Sequence, residues 1–217
     1  GSYSVPFKER NRNLSATQEP RVDALGWCDM QAFGTILKSL PPHSVLQMGN
    51  SSVVRYIQLF DPRSDLSYYG NRGTSGIDGS TSTAAGMASV VDKPVVLITG
   101  DMSYLYDINA LWQEQLPDNL RIIVINNGGG GIFRIIDGPR QSGACESIFE
   151  ARHNRTMEHT AAHFGLSYAC VDNEIRLQSA LEELFAGDLQ LLEVDTRQTP
   201  NDELLRTFFK TLKTSNN

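Results

Sequence analysis

The stretch from Thr99 to Phe133 constrains the fold more than any other: TGDMSYLYDINALWQEQLPDNLRIIVINNGGGGIF. The apolar run Pro94–Thr99 reads as a buried strand that ends in Gly100-Asp101. A helix-like pattern follows over Ser103–Gln115. A second apolar run, Leu120–Ile125, ends in Asn126-Asn127 and four glycines. Two apolar strands joined by a helical crossover predict a parallel pair. In an open parallel sheet the strand C-termini on either side of such a crossover lie close together, and ligands bind there.

The rest of the chain repeats this alternation. Strands are expected at Ser44–Met48, Ser67–Gly70, Leu166–Val171 and Gln190–Asp195, which makes about six with the two above. Helices are expected over Trp27–Leu40, from a cap at Ser51-Ser52 to about Phe60, and over Ser80–Val90, Thr156–Phe164, Glu174–Phe185 and Asn201–Lys213. Alternating strands and helices predict an α/β fold: an open parallel sheet with helices on both faces. Residues 1–23 show no period and read as a linker, an extended arm or a disordered terminus. The start at Gly-Ser rather than Met is expected to be a cloning scar on a piece of a longer protein. Residues 24–217 form the expected domain.

At 217 residues the chain is long enough for one domain with a substantial core. A net charge of −6 argues against nucleic acid or an anionic membrane as partner. No apolar run approaches the roughly 18 residues of a membrane helix. Cys28, Cys145 and Cys170 lack metal-like spacing and read as free buried thiols in a reducing cytoplasm.

The chemistry gathers at strand ends. Asp101 offers a carboxylate, Asn127 a carboxamide oxygen, and the glycine run bare carbonyls. These hard oxygen donors suit Mg²⁺ held by few protein ligands plus phosphate. The helix start after Asp101 adds free N–H groups where phosphate can sit. Gly49-Asn50-Ser51 repeats the strand–turn–helix pattern, with Arg55 one turn on; a lone arginine there can equally be a surface charge. Asn71–Gly79 carries three glycines and Ile77, either for close approach to a ligand or as a surface loop. Gly128–Gly131 can be a linker, and Ile132, Phe133 and Ile136 either site lining or core. Asp137–Asn154 is expected to be a mobile loop over the site, a candidate lid. His159 and His163 stand at helical spacing and, like His153, read as satisfied structural histidines, since HExxH is absent.

Four segments, GNSSVVR, NRGTSGIDG, GDMSYLYDINAL and NNGGGGIF, resemble the thiamine-diphosphate enzymes, whose signature is GDG…NN. Met102 replaces the usual third glycine. An apolar residue and Ser after Gly-Asp is similar to one subfamily, the 2-succinyl-5-enolpyruvyl-6-hydroxy-3-cyclohexene-1-carboxylate synthases of menaquinone biosynthesis. The resemblance implies Mg²⁺, or Mn²⁺, on Asp101, Asn127 and the Gly129 carbonyl. It implies cofactor contacts at Ser51, Ile77, Gly100, Met102 and Ser103, with Ile77 propping the thiamine into a V. It also implies Arg55 and Arg72 on substrate carboxylates, with Ile132 and Phe133 lining the reacting end.

The implied reaction decarboxylates 2-oxoglutarate and adds the succinyl carbanion to isochorismate. The implied enzyme is a cytoplasmic homo-oligomer whose active site is shared between subunits. Its glutamate partner for the aminopyrimidine lies in another domain, so this piece is expected to hold the diphosphate half of the site and to be inactive alone. Self-association through an exposed apolar patch is expected of it. Two other readings stay open: the same domain from an acetolactate synthase or 2-oxoacid decarboxylase, and a non-enzymatic or dinucleotide-binding module. The lack of GxGxxG counts against a dinucleotide site.

Overall fold

The computed structural model describes Val5 and residues 21–214. Among these residues six strands form one sheet: β1 (Val45–Met48), β2 (Ser67–Gly70), β3 (Val95–Gly100), β4 (Leu120–Asn126), β5 (Tyr168–Val171) and β6 (Leu191–Asp195). Their order is β2-β1-β3-β4-β6-β5, and every pairing is parallel. The expected α/β fold with an open parallel sheet is therefore what the chain adopts.

The central strands β3 and β4 are mostly apolar because both faces are covered. Leu46, Val96, Ile98, Ile123, Ile125, Leu192 and Val194 pack on one side, against α1 (Asp29–Ser39), α2 (Ser52–Ile57), α7 (Glu174–Ala186) and α8 (Asn201–Thr214). The alternate residues Val45, Val95, Leu97, Ile122, Val124 and Leu191 pack on the other. There they meet α3 (Ser80–Ala88), α4 (Asp101–Tyr106) and α6 (Glu158–His163), with Ala84 and Ala85 letting α3 come close. Helix α7 buries Leu177, Ala180, Leu181 and Leu184 at helical spacing. The Asn173 side chain caps its start, and Gly187, at φ 105°, ends it.

Several sequence expectations are corrected. The crossover helix starts at Asp101 and stops at Tyr106; a single 3₁₀ turn, Ile108–Leu111, follows, and 113–117 is irregular. The break has a tertiary cause. Buried Asp107 turns its carboxylate onto α3, accepting from Ser82 N at 2.8 Å and Ser82 Oγ at 2.6 Å, and its own backbone leaves the helical region. Ser51 does not cap α2: its φ is 67° and its side chain makes no cap bond. Asp137–Asn154 holds α5 (Asp137–Gln141) and a π-helical turn, Cys145–Phe149, rather than a plain loop. His159 and His163, expected to be satisfied structural histidines, are exposed on α6, where His163 meets the edge of Phe164. Cys170 is half-buried, while Cys28 and Cys145 are buried; all three are free.

The expected arm at 1–23 lies outside the described residues except at Val5 and 21–23. Residues 21–23 are helical, and Val22 is packed in the core at 2% exposure, so the packed domain includes the end of that arm. No described helix is long and apolar enough to cross a membrane.

Topology positions the site. From β1 the chain moves outward to β2, then returns to β3 on the other flank of β1. The loops after β1 and β3 therefore part in opposite directions. A crevice opens between them at the strand C-termini, the usual place for a ligand in this architecture.

Candidate functional site

The crevice wall begins at the turn after β1. Gly49 N donates to Ile98 O at 2.8 Å, and a Cβ at Gly49 would stand 3.0 Å from Thr99 Cα. Glycine is needed there so that the turn can lie against β3. Asn50, buried, then ties two loops together. Its Nδ2 donates to Asn71 O at 2.9 Å and Gly76 O at 2.6 Å, and its Oδ1 accepts from Arg72 Nη1 at 2.7 Å. The next carbonyl, Ser51 O, accepts from Arg55 Nη1 at 2.7 Å. The two arginines expected to meet carboxylates are thus held by consecutive residues, and both are exposed. The Ser103 hydroxyl donates to Ile77 O in a short bond that fastens the glycine-rich loop to α4. Half-buried Met102 separates Ser103 from Asp101, and Gly100 has open space where a Cβ would be.

Asp101, 2% exposed, is the centre. Its Oδ2 accepts from Gly128 N at 2.8 Å and Gly129 N at 2.9 Å, and its Oδ1 from Met102 N at 2.6 Å. The ends of β3 and β4 are therefore joined through this carboxylate, which brings Asp101 beside the Asn127–Gly129 backbone. Gly128 at φ 85° and Gly129 at φ 141° bend the chain to make both bonds. Asn126 points the other way, donating to Glu193 Oε1 at 2.6 Å and Arg155 O at 2.8 Å. Asn127 Nδ2 donates to Asp29 Oδ2 at 3.0 Å. Burial pushes the Asp29 carboxyl up to about 6, against the hydrogen bonds from Thr196 and Asn127. Asp29, Ser52, Tyr56, Asn127, Arg134 and Arg197 line part of a cavity of about 290 Å³ beside this network.

The segment after the π-helical turn lies over the glycine run, where the expected lid would be. Gly130 N donates to Glu150 O at 2.6 Å, and His153 N to Gly128 O at 3.0 Å. Buried Glu150 is anchored by Arg134 Nε at 2.8 Å. His153 Nε2 sits 3.3 Å from Asp101 Oδ2, yet makes no hydrogen bond. Ile132 is buried, and Phe133 tilts against Phe149 with centroids 5.7 Å apart. Ile136, expected to extend that lining, is 39% exposed.

Among the described residues no group of three or more His, Cys, Asp or Glu could hold a metal. That excludes a His- or Cys-rich centre but leaves a mixed oxygen set. A buried carboxylate, a carboxamide fixed by its nitrogen and a glycine carbonyl, Gly129 O, which accepts one hydrogen bond from Gly131 N at 2.9 Å and has a second lone pair, are what a hard cation takes when phosphate supplies its remaining ligands. The residues present fit Mg²⁺ with a diphosphate.

A family model described as "Thiamine pyrophosphate enzyme, C-terminal TPP binding domain" matches residues 47–194, from β1 to β6. The chain belongs to this family. Three curated relatives carry the name 2-succinyl-5-enolpyruvyl-6-hydroxy-3-cyclohexene-1-carboxylate synthase. The protein from Flavobacterium johnsoniae is 46% identical over 87% of this chain and 34% of its own length. That from Flavobacterium psychrophilum is 45% identical over 97% and 38%, and that from Porphyromonas gingivalis 38% identical over 96% and 37%. The chain thus spans a little over a third of the length of the relatives it matches.

Around the site of this thiamine pyrophosphate enzyme chain, sequence reasoning missed the placement of Asn50, Glu150, His153 and Asp29. Asn50 stood inside a quoted motif but was overshadowed by Ser51. Glu150 and His153 sit in a polar stretch with no period. Asp29 looks like an ordinary acid in a first helical turn, and it lies outside the residues the family model matches.

Proposed function

We propose that the chain is the cofactor-binding domain of a synthase of menaquinone biosynthesis, one that decarboxylates 2-oxoglutarate and joins the succinyl unit to isochorismate. The observation that carries this is Asp101 joining the ends of β3 and β4 beside Asn127 and Gly129, with Arg55 and Arg72 held by the turn after the neighbouring β1. Membership of the thiamine pyrophosphate enzymes and the shared name of the relatives support it.

Asp101, Asn127 and the Gly129 carbonyl would hold Mg²⁺ or Mn²⁺, and Ser51 and the Gly100–Ser103 turn would take the diphosphate. When bound, thiamine diphosphate supplies the electron sink for loss of CO₂ from a 2-oxoacid. Ile77, kept in place by Ser103, would support the cofactor from below. Arg55 and Arg72 would each take a substrate carboxylate through a planar fork of charge-assisted hydrogen bonds. Ile132 and Phe133 would keep water from the reacting end. The remaining machinery, including the glutamate for the aminopyrimidine, would come from another domain, and the piece alone would be inactive. Exposed Tyr106 and Trp112, just after the metal-site strand, suit a homo-oligomer that shares the site. A cytoplasmic location goes with this reading.

The test is consumption of isochorismate by the full-length protein with 2-oxoglutarate, thiamine diphosphate and Mg²⁺. Turnover that requires all four supports the proposal. Turnover of pyruvate alone, with none of the isochorismate reaction, would replace it with the acetolactate synthase or decarboxylase reading.

A further inference from the structure

We infer that Asp29, at the start of α1, is a positioning residue that turns the Asn127 carboxamide so that its oxygen faces the metal. This rests on the proposed metal role of Asn127 and adds a residue to it.

A ligand carboxamide has two ends that differ only in chemistry. The oxygen can bind a cation, and the NH₂ cannot. Something must tell them apart, and a carboxylate does, since when ionised it only accepts. Asp29 Oδ2 accepts a hydrogen bond from Asn127 Nδ2 at 3.0 Å, which leaves Oδ1 of Asn127 on the other side of the amide.

Asp29 is itself locked. Its Oδ1 accepts from Thr196 Oγ1 at 2.5 Å, so only Oδ2 is left for Asn127. Its backbone N–H donates to Asn201 Oδ1 at 2.7 Å. The flanking chain is fastened as well: Trp27 Nε1 donates to Asp195 O at 3.0 Å, and Thr199 Oγ1 to Trp27 O at 3.2 Å. The carboxylate is 1% exposed and Thr196 1% exposed. A buried acid that makes no ion pair among these contacts is costly for a fold to keep. Here it accepts hydrogen bonds from two side chains, one of which is the proposed ligand. Groups behind a metal ligand act in this way, and their loss typically weakens metal binding about 10- to 100-fold.

The probe is Mn²⁺, titrated into full-length protein saturated with thiamine diphosphate and followed by the electron paramagnetic resonance of the free ion. Circular dichroism confirms that each variant is folded. Asp29→Ala should weaken Mn²⁺ binding about tenfold or more. Asn127→Ala should weaken it at least as much, and the double variant should be no weaker than the worse single one, because both act through one ligand. Asp29→Asn keeps an acceptor oxygen and should restore most of the affinity. Thr196→Val leaves Asp29 in place but frees its Oδ1, and should weaken binding several-fold; it decides the matter if Asp29→Ala does not fold. Folded Asp29→Ala or Thr196→Val that binds Mn²⁺ like the parent, while Asp101→Asn and Asn127→Ala lose it, overturns the inference alone. Losses that multiply in the double variant also overturn it. Mn²⁺ binding unchanged in Asp101→Asn and Asn127→Ala would instead sink the metal reading, and the role of Asp29 with it.

Discussion

Substituting Gly129 with alanine should be among the most damaging single-methyl changes in this domain. The added Cβ would stand 2.5 Å from the Glu150 carbonyl oxygen, far inside contact distance. That oxygen belongs to the backbone, so it cannot rotate away as a flexible side chain would. It also accepts the Gly130 N–H at 2.6 Å, and moving it breaks that bond. A backbone φ of 141° at Gly129 adds strain for any residue with a Cβ. Backbone strain of about 1–3 kcal/mol and a buried broken hydrogen bond of about 1–3 kcal/mol give a loss of about 2–6 kcal/mol. Gly138 is the control: a Cβ there meets nothing within 4 Å, so Gly138→Ala should stay within about 0.5 kcal/mol of the parent. Urea unfolding of both variants, at equal m-value, reads the difference. A Gly129→Ala midpoint equal to that of Gly138→Ala would refute the reasoning, because it would mean that the 150–153 segment does not rest on the glycine run.

Three other outcomes follow from the same structure. In the full-length protein Arg55→Ala and Arg72→Ala should each lower kcat/KM for the carboxylate substrates about ten- to a hundredfold, with little change in thiamine diphosphate affinity; lost cofactor affinity at unchanged kcat/KM would move both arginines to the cofactor. Ile98→Ala, at a fully buried position on the middle strand, should cost about 2–5 kcal/mol by urea unfolding, and a cost below 1 kcal/mol would contradict the packing described. Burial, helped by the Glu193 charge, pushes the Cys170 thiol up to about 11, so its reaction with a disulfide reagent should keep accelerating above pH 9; a plateau near the ordinary thiol value of about 8.5 would contradict this.

Much of the fold was legible because it rests on local patterns. Runs such as Val95–Ile98 and Ile122–Ile125 are apolar without alternation, as a strand buried on both faces requires. That Asp101 and the Asn127–Gly129 turn come together was legible because both follow apolar strands joined by one crossover, whose C-termini lie side by side. What stayed hidden depends on distant partners. Nothing near Asp107 signals that it will leave its helix for Ser82. Nothing near Asp29 signals that Asn127 and Thr196 will close around it. Ser51 looked like a cap by residue type, but the close approach of Gly49 to β3 turns it into a positive-φ corner instead. His153 stands by Asp101 because a covering segment carries it there, a placement that helical spacing with His159 and His163 could not suggest.

On the proposed function, the β3 and β4 ends form a metal-dependent diphosphate site. Calorimetric titration of the full-length protein with thiamine diphosphate, with and without Mg²⁺, tests it most directly, with Asp101→Asn alongside. Binding should be saturable, need Mg²⁺ and be lost in Asp101→Asn. Binding of equal strength without any divalent cation, or undiminished in Asp101→Asn, would contradict it.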